Sequence, residues 1–432
     1  MARAGLSRSP DPDDTDAETS RDVRHNTVAL GIDFGLFLIG LSFSSQSTIL
    51  PAFAAHLGAS NVLIGAIPAL MTLGWNLPSL FAAGHTESLP RKLPFVLRYT
   101  IWERLPFLLL AAVAFFVAPA APALALLLTL AMLLVITSAG GLLMPAWMDI
   151  VGRAVPTRLR GRFFAVSSLL GGLGGVVGSV TTAWVLARVP PPRGYGVCFV
   201  LSALFMALSY VALARVREPR APAVQAAAPL RTYLRRAGRV LREDRNLAWY
   251  LLARGLAFVG TMGSAFYAVY ALRRFDAPDW SVGLFTTALL VGQMGGNLAL
   301  GALADRSGHV ASLAIGMGAL VGANVLALSL SSLEVFALVF LLQGIQLAAV
   351  NVSGLNVLLE FAPGPGARPT YVGLGTTLTT PVAFGAPLLA GLMADVLGFA
   401  AVFLAAGLGA LASTAVLLGR VQEPRRRPFG AS

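Results

Sequence analysis

The 432-residue chain is 56% hydrophobic and only 12% charged, and its formal net charge is +12. Soluble domains usually carry about 25% charged residues, so this composition excludes a soluble protein with one anchor and indicates a polytopic membrane protein. The basic excess could attract nucleic acid, but Arg and Lys that flank membrane segments explain it without a nucleic-acid partner. The single cysteine, Cys198, excludes a disulfide framework and a cysteine metal site.

Apolar stretches of about 20 residues, the length of a membrane helix, follow one another along the chain. We predict twelve spans, at 27–50, 62–83, 95–118, 123–147, 163–187, 196–215, 247–271, 281–303, 311–331, 335–359, 371–394 and 399–419. Residues 1–26 are polar, lack a signal-peptide core and are predicted to be a disordered cytoplasmic tail. The predicted units are therefore 27–215, a basic central loop 216–245, 246–420, and a basic tail 421–432.

The basic residues are concentrated in alternate loops. Arginines cluster in the central loop, in the C-terminal tail and between spans four and five, as in Arg153, Arg158 and Arg162. The positive-inside rule assigns such loops to the cytoplasm. Both termini are therefore predicted to be cytoplasmic, in a multi-pass protein of the cell inner or plasma membrane.

The two halves of the chain repeat each other. Arg215-Val-Arg-Glu218-Pro219 reappears as Arg420-Val-Gln-Glu423-Pro424, and Ile64-Gly65 aligns with Val282-Gly283. Because each repeat holds an even number of spans, the repeats are parallel and related by an axis along the membrane normal.

A short polar hairpin lies between the predicted spans eight and nine. It reads Gly301-Ala-Leu-Ala-Asp305-Arg306-Ser-Gly308-His309, in which Gly308 suits a turn with positive φ and Gly301 is predicted to allow close helix approach. The hairpin resembles the loop signature of the major facilitator superfamily. With the six-plus-six spans and the basic central loop, the resemblance covers 27–425. It implies an all-α membrane fold of two six-helix bundles that rock to expose a central site alternately.

The same resemblance implies a cytoplasmic gating motif. Asp305 would contact the start of span five at Gly161-Arg162, and Glu87 would contact the start of span eleven near Thr370. The first-half hairpin, 83–92, keeps an acid and a basic pair but lacks the Asp-Arg doublet and has no glycine at the two positions that match Gly301 and Gly308. The expected gating residues are Gly301, Asp305, Arg306, Gly308, Glu87, Arg91, Asp149 and Arg162.

Four charged residues lie about two turns or more inside the predicted spans, where a charge costs at least about 2.5–3.5 kcal/mol without a partner or cavity. Asp33 and Arg254, its approximate repeat equivalent, lie on spans one and seven, which line the cavity in the resembled family. They are candidate substrate or proton sites, and structural ion pairs are the alternative. Glu103 and Arg104 lie on span three and are candidates of the same kind, although a structural brace through Asp33 is the favoured interpretation.

Uncharged amides form a second set of candidates. They are Gln343, Gln346 and Asn351 on span ten and Gln293 and Asn297 on span eight. Amides at this depth either bind a polar solute or hold helices together.

The chain lacks the motifs of several other classes. There is no phosphate-binding Gly-x-x-x-x-Gly-Lys loop, no histidine spacing for a metal and no nucleophile motif. We therefore expect no enzyme activity and no cofactor.

The expected function is secondary transport of a small solute by a monomer, with protons as coupling ion if a gradient drives it. A glycine-rich fifth span, similar to that of some exporters, favours export slightly. The alternative is a protein of the same fold that serves as a sensor or handles lipid without transporting.

Overall fold

The computed structural model describes residues 12–87, 89–218, 238, 240–330, 332–364 and 367–426. Within these ranges the chain is helical, without strands, and twelve helical segments are long and apolar enough to cross a membrane. Large apolar side chains such as Phe116, Leu298 and Leu408 are exposed on the outer surface. Such a surface is suited to lipid rather than water.

The spans agree closely with those predicted. In the first half they are Pro12–Ser42, Asn61–Glu87, Leu93–Val117, Pro122–Ala154, Thr157–Arg188 and Arg193–Ala214. In the second half they are Arg245–Arg274, Trp280–Ser307, His309–Ser329, Leu333–Phe361, Thr370–Val396 and Phe399–Gly419. We number them one to twelve. Both described chain ends lie on one side of the bundle, the termini side; the other is the opposite side.

Three predicted boundaries need correction. Span one begins at Pro12, so helix covers residues 12–26, which the sequence analysis assigned to a disordered tail. Span one also ends at Ser42, and a separate short helix, Ile49–His56, follows it. Span eight continues to Ser307, so the predicted 301–309 hairpin is two helical turns and a single turn residue, Gly308, with φ of +99°. Most of the central loop, 219–237, lies outside the described residues.

Several spans are interrupted. A 3-10 segment, Met262–Ala265, interrupts span seven, and span ten breaks between Ser353 and Asn356. Span eleven breaks before Thr380, where Pro381 removes a backbone donor. Such breaks free backbone carbonyls, which are tolerated at membrane depth only where protein or a cavity satisfies them.

Two seams join the halves. Span two packs against span eleven, and span five packs against span eight. Within the first half, span four packs on span two, and span one packs on span five. Within the second half, span seven contacts span eleven, and span ten packs on span eight. Spans one, four, seven and ten therefore line the space between the seams.

Matching hydrogen bonds confirm the repeat. Asn26, near the start of the apolar part of span one, exchanges two bonds with the backbone of Arg217, of 2.7 and 2.8 Å. Asn246 at the start of span seven does the same with Gln422. Glu218 accepts from the backbone N–H of Leu93 at 3.0 Å, as Glu423 accepts from that of Val310 at 2.9 Å. In each half, the residues that follow the sixth span are therefore bonded both to the asparagine of the first span and to the start of the third span.

Candidate functional site

A buried charge cluster occupies the interior of the first half. The Arg104 guanidinium lies 3.0 Å from Asp33 Oδ1 and 3.1 Å from Glu103 Oε2. Asp33 is 2% exposed, and Glu103 and Arg104 are each 8% exposed. The ion pair of Arg104 with Asp33 joins span three to span one.

Three neutral side chains complete the cluster. Ser209 on span six donates to Asp33 at 2.6 Å, and the Trp147 indole N–H on span four donates to the other carboxylate oxygen at 3.2 Å. Thr100 donates to Glu103 at 3.1 Å and accepts from Arg104. The Asp33 carboxylate consequently joins spans one, three, four and six, and any change in its charge alters its contacts with the other three spans.

The cluster contains two carboxyl groups and one guanidinium. With both carboxyls ionised it has one unmatched negative charge, which is costly in a buried site. One bound proton makes it neutral.

Among its described residues, the second half has no equivalent cluster. The matching bonds of Asn26 and Asn246 set the register, so Asp33 corresponds to Ala253 and not to Arg254, which is the next residue. Ser413, one position before the repeat counterpart of Ser209, donates to the Ala253 carbonyl at 2.8 Å and contacts no carboxylate of a described residue.

Arg254 on span seven is half-buried and lies beside span ten. Its Nη1 donates to the Gly354 carbonyl at 3.3 Å and approaches the Tyr250 hydroxyl at 3.5 Å. Its Cζ lies 5.7 Å from the Phe258 ring centroid, and its Nε has no hydrogen-bond partner among the described residues. Unlike Arg104, Arg254 contacts no carboxylate within the described part of the chain.

An aromatic group lies on the first-half wall between spans one and four. Phe34 and Trp147 have ring centroids 5.6 Å apart, and Phe164 on span five lies 6.1 Å from Phe34 and 6.4 Å from Trp147. All three rings are half-buried. We call Phe34, Trp147 and Phe164 the aromatic patch. Trp147 belongs both to this patch and to the charge cluster.

The structure does not gather the five predicted amides at one place. Gln343 and Gln346 are buried at 2% and 3% exposure, and Gln346 lies beside Gly316 of span nine, inside the half. Asn351 is exposed, whereas Gln293 and Asn297 are half-buried. Gln343 Oε1 and Asn297 Oδ1 have no hydrogen-bond partner among the described residues.

On the opposite side, polar side chains connect the two halves. Asp395 at the end of span eleven accepts from the Asn61 side chain at 2.8 Å and from the backbone N–H groups of Asn61 and Val62 at the start of span two. Asp279 contacts His56 at 2.5 Å and accepts from the Tyr195 hydroxyl at 2.9 Å. These contacts close the opposite side.

On the termini side, the predicted gating residues are apart. Asp305, Arg306 and Arg162 are exposed, and a side chain at Gly161 or Gly301 would meet no described atom within 4 Å. The prediction that Gly301 permits close helix approach is therefore wrong for this conformation. Arg91 is exposed as well, and the Glu87 side chain lies outside the described residues.

Two other predicted gating residues act within a half. Asp149 pairs at 2.6 Å with both Lys92 and Arg153 in the first half. Gly308 gives Glu423 access to the start of span nine, since a side chain at Gly308 would overlap the Glu423 carboxylate. These contacts hold the spans of each half together on the termini side.

Sequence reasoning missed Trp147, Ser209 and the residues of the opposite-side closure. Trp147 and Ser209 carry no charge and lie in ordinary apolar spans, so only their contacts with Asp33 identify them. Among the described residues no group of histidine, cysteine, aspartate and glutamate could hold a metal ion.

Two parallel six-span halves around a central space define the fold of a membrane transporter. The sequence model described as Major Facilitator Superfamily matches residues 32–281 and 275–432. The chain belongs to the major facilitator superfamily.

Solved structures of this fold resemble the chain at low identity. A nucleoside transporter, NupG (D323A mutant), gives a TM-score of 0.70 at 14% identity, covering 92% of this chain and 100% of its own. A bacterial homologue of the iron transporter ferroportin, in an inward-facing state, gives 0.70 at 14% identity and covers 91% and 97%. The human organic anion transporter MFSD10 gives 0.58 at 19% identity and covers 91% and 99%. Comparison with curated protein sequences finds no match.

Proposed function

We propose that the protein is a secondary transporter that moves a small solute by alternating access and couples this movement to protons. It acts as a monomer in the cell inner or plasma membrane, with its termini in the cytoplasm and export as the favoured direction. The closure on the opposite side and the separated residues on the termini side then correspond to an inward-facing conformation. The gating contacts of Asp305 and Glu87 would form when the bundles rock to the outward-facing conformation.

The observation that carries the coupling proposal is the Asp33–Arg104–Glu103 cluster. It holds one carboxyl more than it has cations, and the described residues of the second half contain no counterpart. A proton bound there removes the unmatched charge, and a proton released restores it. Because Asp33 bonds to Trp147 at 3.2 Å, either event changes the link between spans one and four on the cavity wall.

Electrical recording from proteoliposomes on a solid support tests this proposal. A pH step in the presence of a solute panel is expected to give a current with the wild-type protein. Asp33→Asn is expected to abolish proton-driven transport while solute exchange without a gradient continues. An unchanged pH dependence in both Asp33→Asn and Glu103→Gln would contradict the coupling role.

The repeat offers a matched control. Ser209 and Ser413 are buried serines on the last spans of the two halves, and each bonds to the corresponding residue of the first span, Asp33 or Ala253. Ser209 bonds to a carboxylate, whereas Ser413 bonds to a backbone carbonyl. Ser209→Ala is therefore expected to shift the pH dependence of transport, and Ser413→Ala is expected to leave it in place.

One observation favours a second candidate, a lipid-handling protein without solute transport. A groove of about 620 Å³ opens on the outer surface between spans one and six, with Arg24, His25 and Arg215 at its termini-side end and apolar residues along the rest. A groove of this kind fits one chain and the headgroup of an anionic phospholipid. Exchange of labelled phospholipid between vesicles, with no current for any solute, would favour this candidate over transport.

A further inference from the structure

We propose that the transported solute is an organic anion with an aromatic or similarly flat apolar body. Arg254 would bind its anionic group, and the aromatic patch of Phe34, Trp147 and Phe164 would bind its body. This inference rests on the proposed transport function and names the substrate class of the same central space.

The first argument is charge. A guanidinium inside a membrane protein requires a counter-charge or a polar cavity. Arg104 meets two carboxylates, whereas Arg254 meets a backbone carbonyl and a tyrosine hydroxyl at 3.3 and 3.5 Å. Both contacts are long, and Nε is without a partner among the described residues. A planar guanidinium with donors to spare is suited to bind a carboxylate through two parallel hydrogen bonds.

The second argument is position. Arg254 is eight residues after Asn246, and Phe34 is eight residues after Asn26, so the two occupy equivalent positions of the repeats. A two-fold axis along the membrane normal puts equivalent positions at the same depth on opposite walls of the central space. The guanidinium of one wall is therefore opposite the aromatic patch of the other.

The third argument is the nature of the two surfaces. Half-buried aromatic rings gain from stacking with a flat apolar ligand, and the patch contains no charged side chain. Arg254 itself lies over the Phe258 ring, which adds a second apolar surface beside the charge. A small inorganic anion would use the guanidinium but leave the patch empty, so an organic anion fits both surfaces better.

A pair of probes that differ only in charge tests this inference. The probes are 1-naphthoate and its neutral analogue 1-naphthamide, titrated into the purified full-length protein by calorimetry. We expect naphthoate to bind at least tenfold more tightly than naphthamide. Arg254→Gln is expected to abolish this preference, and Arg254→Lys, which keeps the charge, is expected to retain most of it. Phe164→Ala is expected to weaken both probes to a similar extent.

Arg420→Gln is the matched control. Arg420 belongs to the same half and also lies over an aromatic ring, with its Cζ 5.3 Å from the Trp249 centroid, but it is exposed at the end of span twelve. This variant is expected to keep the full preference. The proposal is overturned if wild-type protein binds naphthamide as well as naphthoate, or if the preference persists in Arg254→Gln.

The binding measurement needs neither a membrane nor a proton gradient. If the protein shows no preference for naphthoate but still gives proton-coupled currents, only the proposed substrate class is contradicted. An intact charge preference without any current would instead count against the transport function.

Discussion

Replacement of Gly391 by alanine is expected to open the opposite side of the protein. Gly391 lies on span eleven in the seam between the halves, one turn before Asp395. A Cβ at this position would fall 2.5 Å from the Asn61 carbonyl oxygen and 2.6 Å from the Val62 Cα on span two. These distances are roughly 1 Å inside ordinary contact, and both neighbours are backbone atoms that cannot rotate away.

The closed conformation must therefore separate spans two and eleven locally, whereas an open one has already done so. Overpacking of a tight helix contact costs about 1–3 kcal/mol. If this cost applies only to the closed conformation, the ratio of closed to open molecules falls by about 5-fold to 150-fold. The seam would also lose the bonds between Asp395 and the start of span two as it separates.

Double electron–electron resonance, which measures the distance between two spin labels, reports this shift in the ratio of closed to open molecules. Labels at Ala120→Cys and Leu397→Cys lie on exposed opposite-side loops of the two halves, and the native Cys198 is fully buried. Gly391→Ala is expected to increase the population with longer label distances.

Gly141→Ala is the control for the distance measurement. Gly141 meets the Gly74 carbonyl oxygen at the same 2.5 Å, but both glycines belong to the first half. Its substitution is expected to lower the melting temperature and to leave the label distances unchanged. Equal effects of the two substitutions on the distances, or no effect of Gly391→Ala, would refute the assignment of this seam as the moving contact.

Three further predictions concern stability and closure. Arg104→Gln leaves two buried carboxylates without a cation and is expected to lower the free energy of unfolding by about 3–5 kcal/mol. Glu103→Gln leaves one carboxylate paired with one guanidinium and should lower the melting temperature much less. A larger loss of stability in Glu103→Gln than in Arg104→Gln would contradict this charge argument. Asn246→Ala removes both bonds to the Gln422 backbone and is expected to lower the free energy of unfolding by about 1–3 kcal/mol, measured by thermal unfolding in detergent. Asn356→Ala is the control and is expected to have a smaller effect, because the Asn356 amide donates to Val352 of its own span. Asp395→Ala removes the acceptor of the span-two N–H groups and is expected to lengthen the same label distances without Gly391 being changed; unchanged distances would show that the closure does not depend on it.

Most of the fold could be predicted from the sequence because apolar length and the positions of charges are local properties. The repeat was visible in Arg215–Pro219 and Arg420–Pro424, and the structure places Glu218 and Glu423 in matching bonds. The link from Arg104 to Asp33 also followed from the rule that buried charges require partners.

The rest depends on three-dimensional contacts that no local pattern encodes. Trp147 gains its importance from a hydrogen bond to a residue 114 positions away, and a tryptophan in an apolar span gives no sign of it. The prediction that Gly301 permits close helix approach was wrong because the neighbours of Gly301 depend on which conformation the bundles adopt. The helical start at Pro12 was missed because polar residues in a long helix look like an unstructured tail.

The paired asparagine and glutamate clamps have a consequence for the architecture. Asn26 and Glu218 join the two ends of the first half, and Asn246 and Glu423 join those of the second, so the ends of each half are held by residues of that same half. A gene cut within 219–237 should therefore yield two fragments that assemble when produced together, as expected if the chain arose by fusion of two self-contained six-helix subunits.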